Sequence, residues 1–161
     1  MRGRGLVAVF VAALMVAAIG VGCGGDSDSG STVAVSADVD KATFLKRAEA
    51  VCKQTNVRTS EGWEDFVKSR GGDPEKAFEG EGAENDFATE VVLPQKVKQV
   101  EELEKLTAPE GDQKAVQAIV DGYQEGIDVG EDDPQAVMSA VGVFKYAAKQ
   151  AEDYGLRECR W

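Results

Sequence analysis

Apolar residues recur every three or four positions through most of the chain after residue 40, which is the spacing of one buried helix face. The first such stretch begins after Asp40, a good N-cap residue, and runs to Gly71 and Gly72, which favour helix termination. The pattern therefore predicts one long helix from Lys41 to this glycine pair. Its repeating positions are Phe44, Ala48, Val51, Cys52, Thr55, Thr59, Trp63, Phe66 and Val67.

Three further helical patterns follow in the chain. The second helix is expected over about residues 87–106, and Pro94 must either kink it or begin it, because proline lacks an amide N–H. The fourth helix follows Asp133 and Pro134, which are typical of an N-cap and a first helical position. The buried faces are predicted at Leu93, Val97, Val100, Leu103 and Leu106, then at Val116, Ile119, Val120, Tyr123 and Ile127, and last at Val137, Val141, Phe144, Ala148 and Ala151.

Four helices with short connections fold most economically as an antiparallel bundle. The sequence therefore predicts an all-α, four-helix-bundle-like domain over residues 41–161. Gly122, Gly126 and Gly130 recur every fourth residue in the third helix. A membrane dimer motif is one interpretation, but acidic residues interrupt the stretch. We favour close helix approach within the bundle, with Gly130 as the cap of the third helix.

Residues 73–90 are strongly acidic, with seven Asp and Glu against the single base Lys76. We expect a loop here, with at most a short helical turn after Pro74. One interpretation is that these acids, together with Phe78, Phe87 and Trp63, bind a cation or a basic partner. An ordinary solvated loop is the interpretation we favour.

Composition excludes several functions. The chain has no His, so Ser-His-Asp and Cys-His triads and His-ligated metals are excluded. A formal net charge of -11 argues against a nucleic-acid partner, because polyanions are bound by surplus Lys and Arg. The sequence also shows no Ser-x-x-Lys motif, phosphate-binding Gly loop or dinucleotide fingerprint. We therefore expect no catalytic residue, no cofactor and no metal site.

The first segment has the layout of a secretory signal peptide. Arg2 and Arg4 precede an uncharged apolar run over residues 6–22. This run of 17 residues is shorter than the roughly 20 that a spanning helix needs, although an uncleaved membrane anchor is the alternative. In either case the rest of the chain is predicted to be exported.

The end of this run resembles the lipobox of bacterial lipoproteins, because the small residues Gly-Val-Gly lead into Cys23. Gly20 stands where that family usually has Leu, and cleavage after Ala37 is an alternative. The resemblance implies removal of a signal peptide over residues 1–22 and acyl lipid on Cys23. The lipid would hold the protein on the outer face of the cell membrane, with the bilayer as its partner.

Residues 23–40 combine this lipidated Cys with small and polar residues, which predict a flexible linker. Lipidation of Cys23 leaves an even number of cysteines, Cys52 and Cys159, and exported proteins generally pair their thiols. We therefore expect a structural disulfide between them. A redox-active pair is the alternative, but the close Cys-x-x-Cys spacing and an obvious basic cluster are both missing.

The chain also resembles a group of small exported helical lipoproteins of high-GC Gram-positive bacteria. These pair a Cys in the first helix, here Cys52, with a C-terminal Gly-Leu-x-x-Cys, here Gly155 to Cys159. The resemblance implies this fold and a group without a settled biochemical role. Our hypothesis is a membrane-tethered, non-catalytic binding or interaction module. The alternative is a carboxylate-dependent hydrolase at the cell envelope, motivated by abundant Asp and Glu.

Overall fold

The computed structural model describes residues 39–139 and 142–160. The signal peptide, Cys23, the linker as far as residue 38 and Val141 lie outside the described residues. Seven α-helices lie within the described ranges: α1 Lys41–Ser69, α2 Pro74–Ala77, α3 Ala83–Phe87, α4 Leu93–Glu104, α5 Gln113–Asp132, α6 Pro134–Met138 and α7 Lys145–Tyr154. The π-helical segment Ala88–Val92 joins α3 to α4, and the 3₁₀ turn Arg157–Cys159 follows α7.

Helix α1 begins and ends as predicted. The Asp40 side chain accepts a hydrogen bond from the amide of Thr43 at 2.9 Å, which satisfies a first-turn donor. At the other end Gly71 has a φ of 100°, and the amide of Gly72 donates to the carbonyl oxygen of Val67 at 2.9 Å. These are the left-handed residue and the long hydrogen bond of a glycine-terminated helix.

The prediction of a loop over residues 73–90 is wrong in its second half. The short turn after Pro74 is present as α2, but α3 already begins at Ala83. Ala83 and Phe87 are buried and lie four residues apart, whereas Glu84 and Asp86 face solvent. The acids therefore form the exposed side of an amphipathic helix, which a charge count alone conceals. The second helical run is correspondingly longer than predicted, and Pro94 lies in the first turn of α4.

The glycines of α5 confirm close helix approach. A Cβ on Gly126 would lie 2.6 Å from Cδ1 of Phe144, and one on Gly130 would lie 2.7 Å from Cγ2 of Val137. Both distances are too short for a real side chain, so only glycine allows these contacts. Gly130 is not a cap, however, because α5 continues to Asp132 and Asp133 then caps α6.

The predicted fourth helix is two helices, α6 and α7, because the chain between them is longer than the gap it crosses. Val137 lies against Gly130 and Phe144 against Gly126, so seven residues match four residues of α5. A continuous helix would advance about 10.5 Å over seven residues, against about 6 Å over four. The extra length is taken up by a turn in which Gly142 has a φ of 58°.

The four helical runs pack as the antiparallel, all-α bundle that the sequence predicts. Runs 1 and 3 are α1 and α5, run 2 is α3 through α4, and run 4 is α6 with α7. Helix α1 contacts α4, α4 contacts α5, and α5 contacts α7. One core draws apolar side chains from every run, with its largest buried members at Phe44, Val92, Tyr123 and Leu156. No strand occurs in residues 39–139 or 142–160.

Candidate functional site

The chain reverses direction at Gly155, which sets up the first candidate region. Gly155 has a φ of 113°, and its amide donates to the carbonyl oxygen of Glu152 at 3.0 Å. The amide of Leu156 donates to Ala151 at 2.8 Å, and the Leu156 side chain is buried. This is the predicted left-handed cap with its hydrophobic contact. It returns residues 155–160, which we call the closing segment, towards α1.

Side chains of α1 hold the closing segment in place. The Glu49 carboxylate accepts hydrogen bonds from the backbone amides of Arg157 and Glu158, the latter at 2.8 Å. The amide group of Asn56 donates to the carbonyl oxygen of Glu158 at 2.9 Å. Glu49, Cys52 and Asn56 are spaced by three and four residues, so they share one face of α1. Cys52 thus lies between the two noncovalent contacts.

The predicted disulfide joins Cys52 to Cys159, with 4.8 Å between their Cα atoms. Both cysteines are almost fully buried. The bond closes a loop of 107 residues, which should stabilise the domain by about 4–5 kcal/mol by the chain-entropy account. Cys23, the predicted lipidation residue, lies outside the described residues.

A buried polar cluster surrounds this bond, and we call Cys52, Lys96, Gln99, Tyr123 and Cys159 the disulfide network. Nε2 of Gln99 donates to Sγ of Cys52 at 3.4 Å, and Nζ of Lys96 donates to Oε1 of Gln99 at 3.1 Å. The hydroxyl of Tyr123 donates to the backbone carbonyl oxygen of Cys159. The network therefore links α1, α4, α5 and the closing segment.

Lys96 is only 4% exposed, and burial lowers the pKa of its ammonium to about 8. Its Nζ lies 5.2 Å from the centre of the Tyr123 ring and 5.5 Å from that of Phe144. Ring faces attract a cation and offset part of the cost of burying it. Burial also raises the pKa of the Tyr123 hydroxyl, so the hydroxyl stays a neutral donor.

Sequence reasoning missed Lys96 and Gln99. Lys96 lies three residues after Leu93 and four before Val100, and Gln99 lies four before Leu103. All three of these apolar residues belong to the predicted buried face of the second helix, so the register contained the signal. The polar character of Lys96 and Gln99 argued against a buried position, because buried Lys and Gln are rare.

The second candidate region lies near the acidic residues, and we call Trp63, Phe66, Phe78 and Phe87 the aromatic cluster. The Trp63 and Phe78 rings stack with centroids 5.2 Å apart, and Phe66 meets Phe87 edge to face at 5.1 Å. Trp63 remains 37% exposed. The structure thus brings together the three aromatics that the sequence singled out, and adds Phe66 to them.

Beside this cluster lies an open groove of about 410 Å³. Its lining consists of Phe78, Gly80, Glu81, Gly82, Glu84, Asn85 and Gln135. A nearby acid forms an ion pair, because Arg70 lies 2.9 Å from Asp86. The Arg70 guanidinium also lies 3.7 Å from the centre of the Phe66 ring. The groove is therefore a polar, acidic surface with an aromatic edge.

Searches for a metal site, a membrane span and similar proteins complete the description of the two regions. Across residues 39–139 and 142–160, no three His, Cys, Asp or Glu side chains come together in a way that could hold a metal ion. No helix in these same ranges is long and apolar enough to cross a membrane. Comparison of the chain with models of protein families, with curated proteins and with solved structures finds no match.

Proposed function

We propose that this chain is a lipid-anchored extracytoplasmic domain that acts as a non-catalytic binding or interaction module. The observation that supports an exported location is the buried Cys52–Cys159 bond. Structural disulfides form and persist in oxidising compartments and are rare in the cytosol. Export also agrees with the charged, then apolar, layout of residues 1–22.

The anchor part of the proposal rests on cysteine use. The domain consumes Cys52 and Cys159 in one bond, so Cys23 is the cysteine left over among the three. It follows the apolar run and precedes a linker of small and polar residues over 24–40. Two or three acyl chains on Cys23 would hold the domain stably on a bilayer, because each buried CH₂ contributes about 0.8 kcal/mol.

Intact-mass analysis of the protein from the native membrane tests the anchor. We expect loss of residues 1–22, a mass increase of several acyl chains on Cys23, and two hydrogens missing across the other two cysteines. A Cys23→Ala variant should lose the lipid, with its disulfide intact. A mature protein with an unmodified Cys23 would contradict the proposal.

The interaction part of the proposal is tested by ligand screening and crosslinking. The acidic groove beside Phe78 favours amines and basic segments, because Glu81 and Glu84 line it and the whole chain is acidic. Thermal shift against amines, metals and sugars, followed by crosslinking on cells, should identify a ligand or partner. Turnover of an envelope glycan by the purified domain would instead favour the hydrolase alternative.

The hydrolase alternative would need a carboxyl group whose pKa is raised within a cleft, so that it can act as a general acid. Within residues 39–139 and 142–160, two carboxyl groups have clearly displaced pKa values, and both move down. The Tyr154 hydroxyl, and then Lys41, lower the pKa of Asp112, and the Thr43 hydroxyl and amide lower that of Asp40. These two carboxylates are therefore hydrogen-bond acceptors and not proton donors.

A further inference from the structure

The hydrogen bond from Gln99 to Cys52 is unusual because a disulfide sulfur is a weak acceptor. A buried amide N–H gains little from a neutral sulfur. It gains much more from a thiolate, because hydrogen bonds to ionised groups are roughly twice as strong. The position of Nε2, 3.4 Å from Cys52 Sγ, therefore matters most when the bond opens and negative charge develops on that sulfur.

Lys96 determines which way the Gln99 amide points. Its protonated Nζ can only donate, so the Gln99 atom at 3.1 Å must be the carbonyl oxygen Oε1. The NH₂ group of Gln99 is thereby directed at Cys52. Lys96 thus acts as a positioning residue for the donor and also places a basic group one side chain away from the sulfur.

The contacts of Cys159 are of another kind. The Tyr123 hydroxyl donates to its backbone carbonyl oxygen and not to its sulfur. Cys159 lies in a three-residue 3₁₀ turn, whereas Cys52 lies deep within the 29 residues of α1. Displacement of the closing segment would expose Cys159 without breaking a long helix.

We propose that the disulfide is opened and closed through Cys159, with Cys52 as the sulfur whose thiolate the protein stabilises. In opening, a thiolate of a small or protein thiol attacks Cys159 Sγ, and a mixed disulfide forms there. The bond to Cys52 breaks, and its electron pair stays on Cys52, which accepts from Gln99. In closing, the Cys52 thiolate attacks Cys159 in the mixed disulfide and releases the partner thiolate.

This exchange needs no other co-reactant, because the attacking thiolate supplies the electron pair of the new S–S bond and the leaving sulfur keeps the pair of the broken one. The titratable groups around it include Lys96 from α4, Tyr123 from α5, Glu49 from α1 and Glu158 beside Cys159 in the closing segment. The negative charge of the Glu49 carboxylate disfavours a nearby thiolate. Both of its oxygens, however, accept hydrogen bonds from backbone amides of the closing segment. The inference depends on the disulfide alone and would survive failure of the lipid-anchor proposal.

The attacked sulfur can be identified directly in the full chain carrying Cys23→Ser. The oxidised protein is treated briefly with a small monothiol, acid-quenched and alkylated, and the adduct is located by peptide mass spectrometry. We expect most of the first adduct on Cys159. An excess of adduct on Cys52 would overturn the proposal.

The role of Gln99 and Lys96 is tested by the pKa of the Cys52 thiol, read from thiolate absorbance near 240 nm in a Cys23→Ser, Cys159→Ser chain. Adding Gln99→Leu or Lys96→Met should raise that pKa, so that the thiolate fraction at neutral pH falls about tenfold. A merely structural role would leave the pKa unchanged, and that result would refute the role of both residues.

Two surface variants provide matched controls. Gln117→Leu removes an exposed glutamine that bonds Asp121, and Lys98→Met removes an exposed lysine of the same helix as Lys96. Neither should move the thiol pKa. If the chain without Cys159 does not fold, the rate of monothiol reduction of the intact bond replaces the titration. That rate should fall about tenfold in Gln99→Leu, and an unchanged rate would count against the proposal.

Discussion

The two candidate regions show different ways of closing a helical bundle. In the disulfide network, a covalent bond, a glutamine and a lysine are buried together and are linked by hydrogen bonds. In the aromatic cluster, the buried rings of Phe66 and Phe87 pack against Phe78 and the partly exposed Trp63, and Arg70 lies over Phe66 at the edge. The first arrangement depends on hydrogen-bond geometry, which is intolerant of change. The second depends on apolar contact, which many side chains can supply.

Breaking the disulfide should have the largest effect on stability. Cys159→Ser, in a Cys23→Ser background, should lower the free energy of unfolding by about 4–5 kcal/mol, because the unfolded chain is freed from a closed loop. Denaturant unfolding with and without reductant measures this. The variant should be insensitive to reductant, whereas Cys23→Ser alone should match the wild type. Equal stabilities would show that the hydrogen bonds of Glu49 and Asn56 hold the closing segment without the disulfide.

Opening a cavity in the aromatic cluster should have the next largest effect. Phe66→Ala should lower the free energy of unfolding by about 3–4 kcal/mol, because the buried ring contacts both Phe78 and Phe87. The indole fluorescence of Trp63 should change with it, and that change separates this end of the bundle from the disulfide end. Phe66→Leu is the matched control and should cost much less. A loss below about 1 kcal/mol would mean that the cluster contributes little.

Removing the buried charge should stabilise the protein in a pH-dependent way. The folded pKa of Lys96, about 8, lies below its unfolded value of 10.5, so the unfolded chain binds more protons between these values. The Lys96 contribution to stability therefore rises with pH from about 8 to 10.5 and is lowest below pH 8. The shift corresponds to at most about 3 kcal/mol. Above about pH 10, the raised pKa of Tyr123 and Tyr154 acts in the opposite direction.

Denaturant unfolding at pH 7 and pH 9.5 measures the Lys96 effect. Lys96→Met should be more stable than the wild type at pH 7, and its stability relative to the wild type should fall by about 2 kcal/mol between the two pH values. The gain at pH 7 should fall short of 3 kcal/mol, because Oε1 of Gln99 loses its donor. Lys98→Met should keep the wild-type pH dependence. A Lys96→Met protein that is less stable at both pH values would show that the hydrogen bond outweighs the buried charge.

Neutralising Arg70 should have the smallest effect. Arg70 pairs with Asp86 and with Glu90, and its side chain is partly exposed. We expect Arg70→Gln to lower the free energy of unfolding by about 1 kcal/mol, through loss of the ion pairs and of the contact with the Phe66 ring. The difference should shrink in 1 M salt, whereas the exposed Lys68→Gln should change nothing. A salt-independent loss would assign the effect to ring contact alone.

Patterns that depend on neighbouring residues were predictable from the sequence. The N-cap at Asp40 and the glycine terminations at Gly71 and Gly155 are confirmed. Most predicted positions of the buried faces are also buried or half-buried, but Trp63 is 37% exposed. The disulfide was predictable from cysteine parity. These features depend on local backbone geometry and on periodicity, and residues close together in the sequence determine both.

The break between α6 and α7, the helical start at Ala83 and the interior position of Gly130 were not predictable in the same way. Each depends on the length over which one helix packs against another, and that length is set only when the helices come together. Lys96 and Gln99 are the clearest case. Their register places them inside, but only the assembled bundle supplies the sulfur and the rings that make burial tolerable. Local chain chemistry therefore determined the helices, and packing across residues distant in the chain decided where polar groups could be buried.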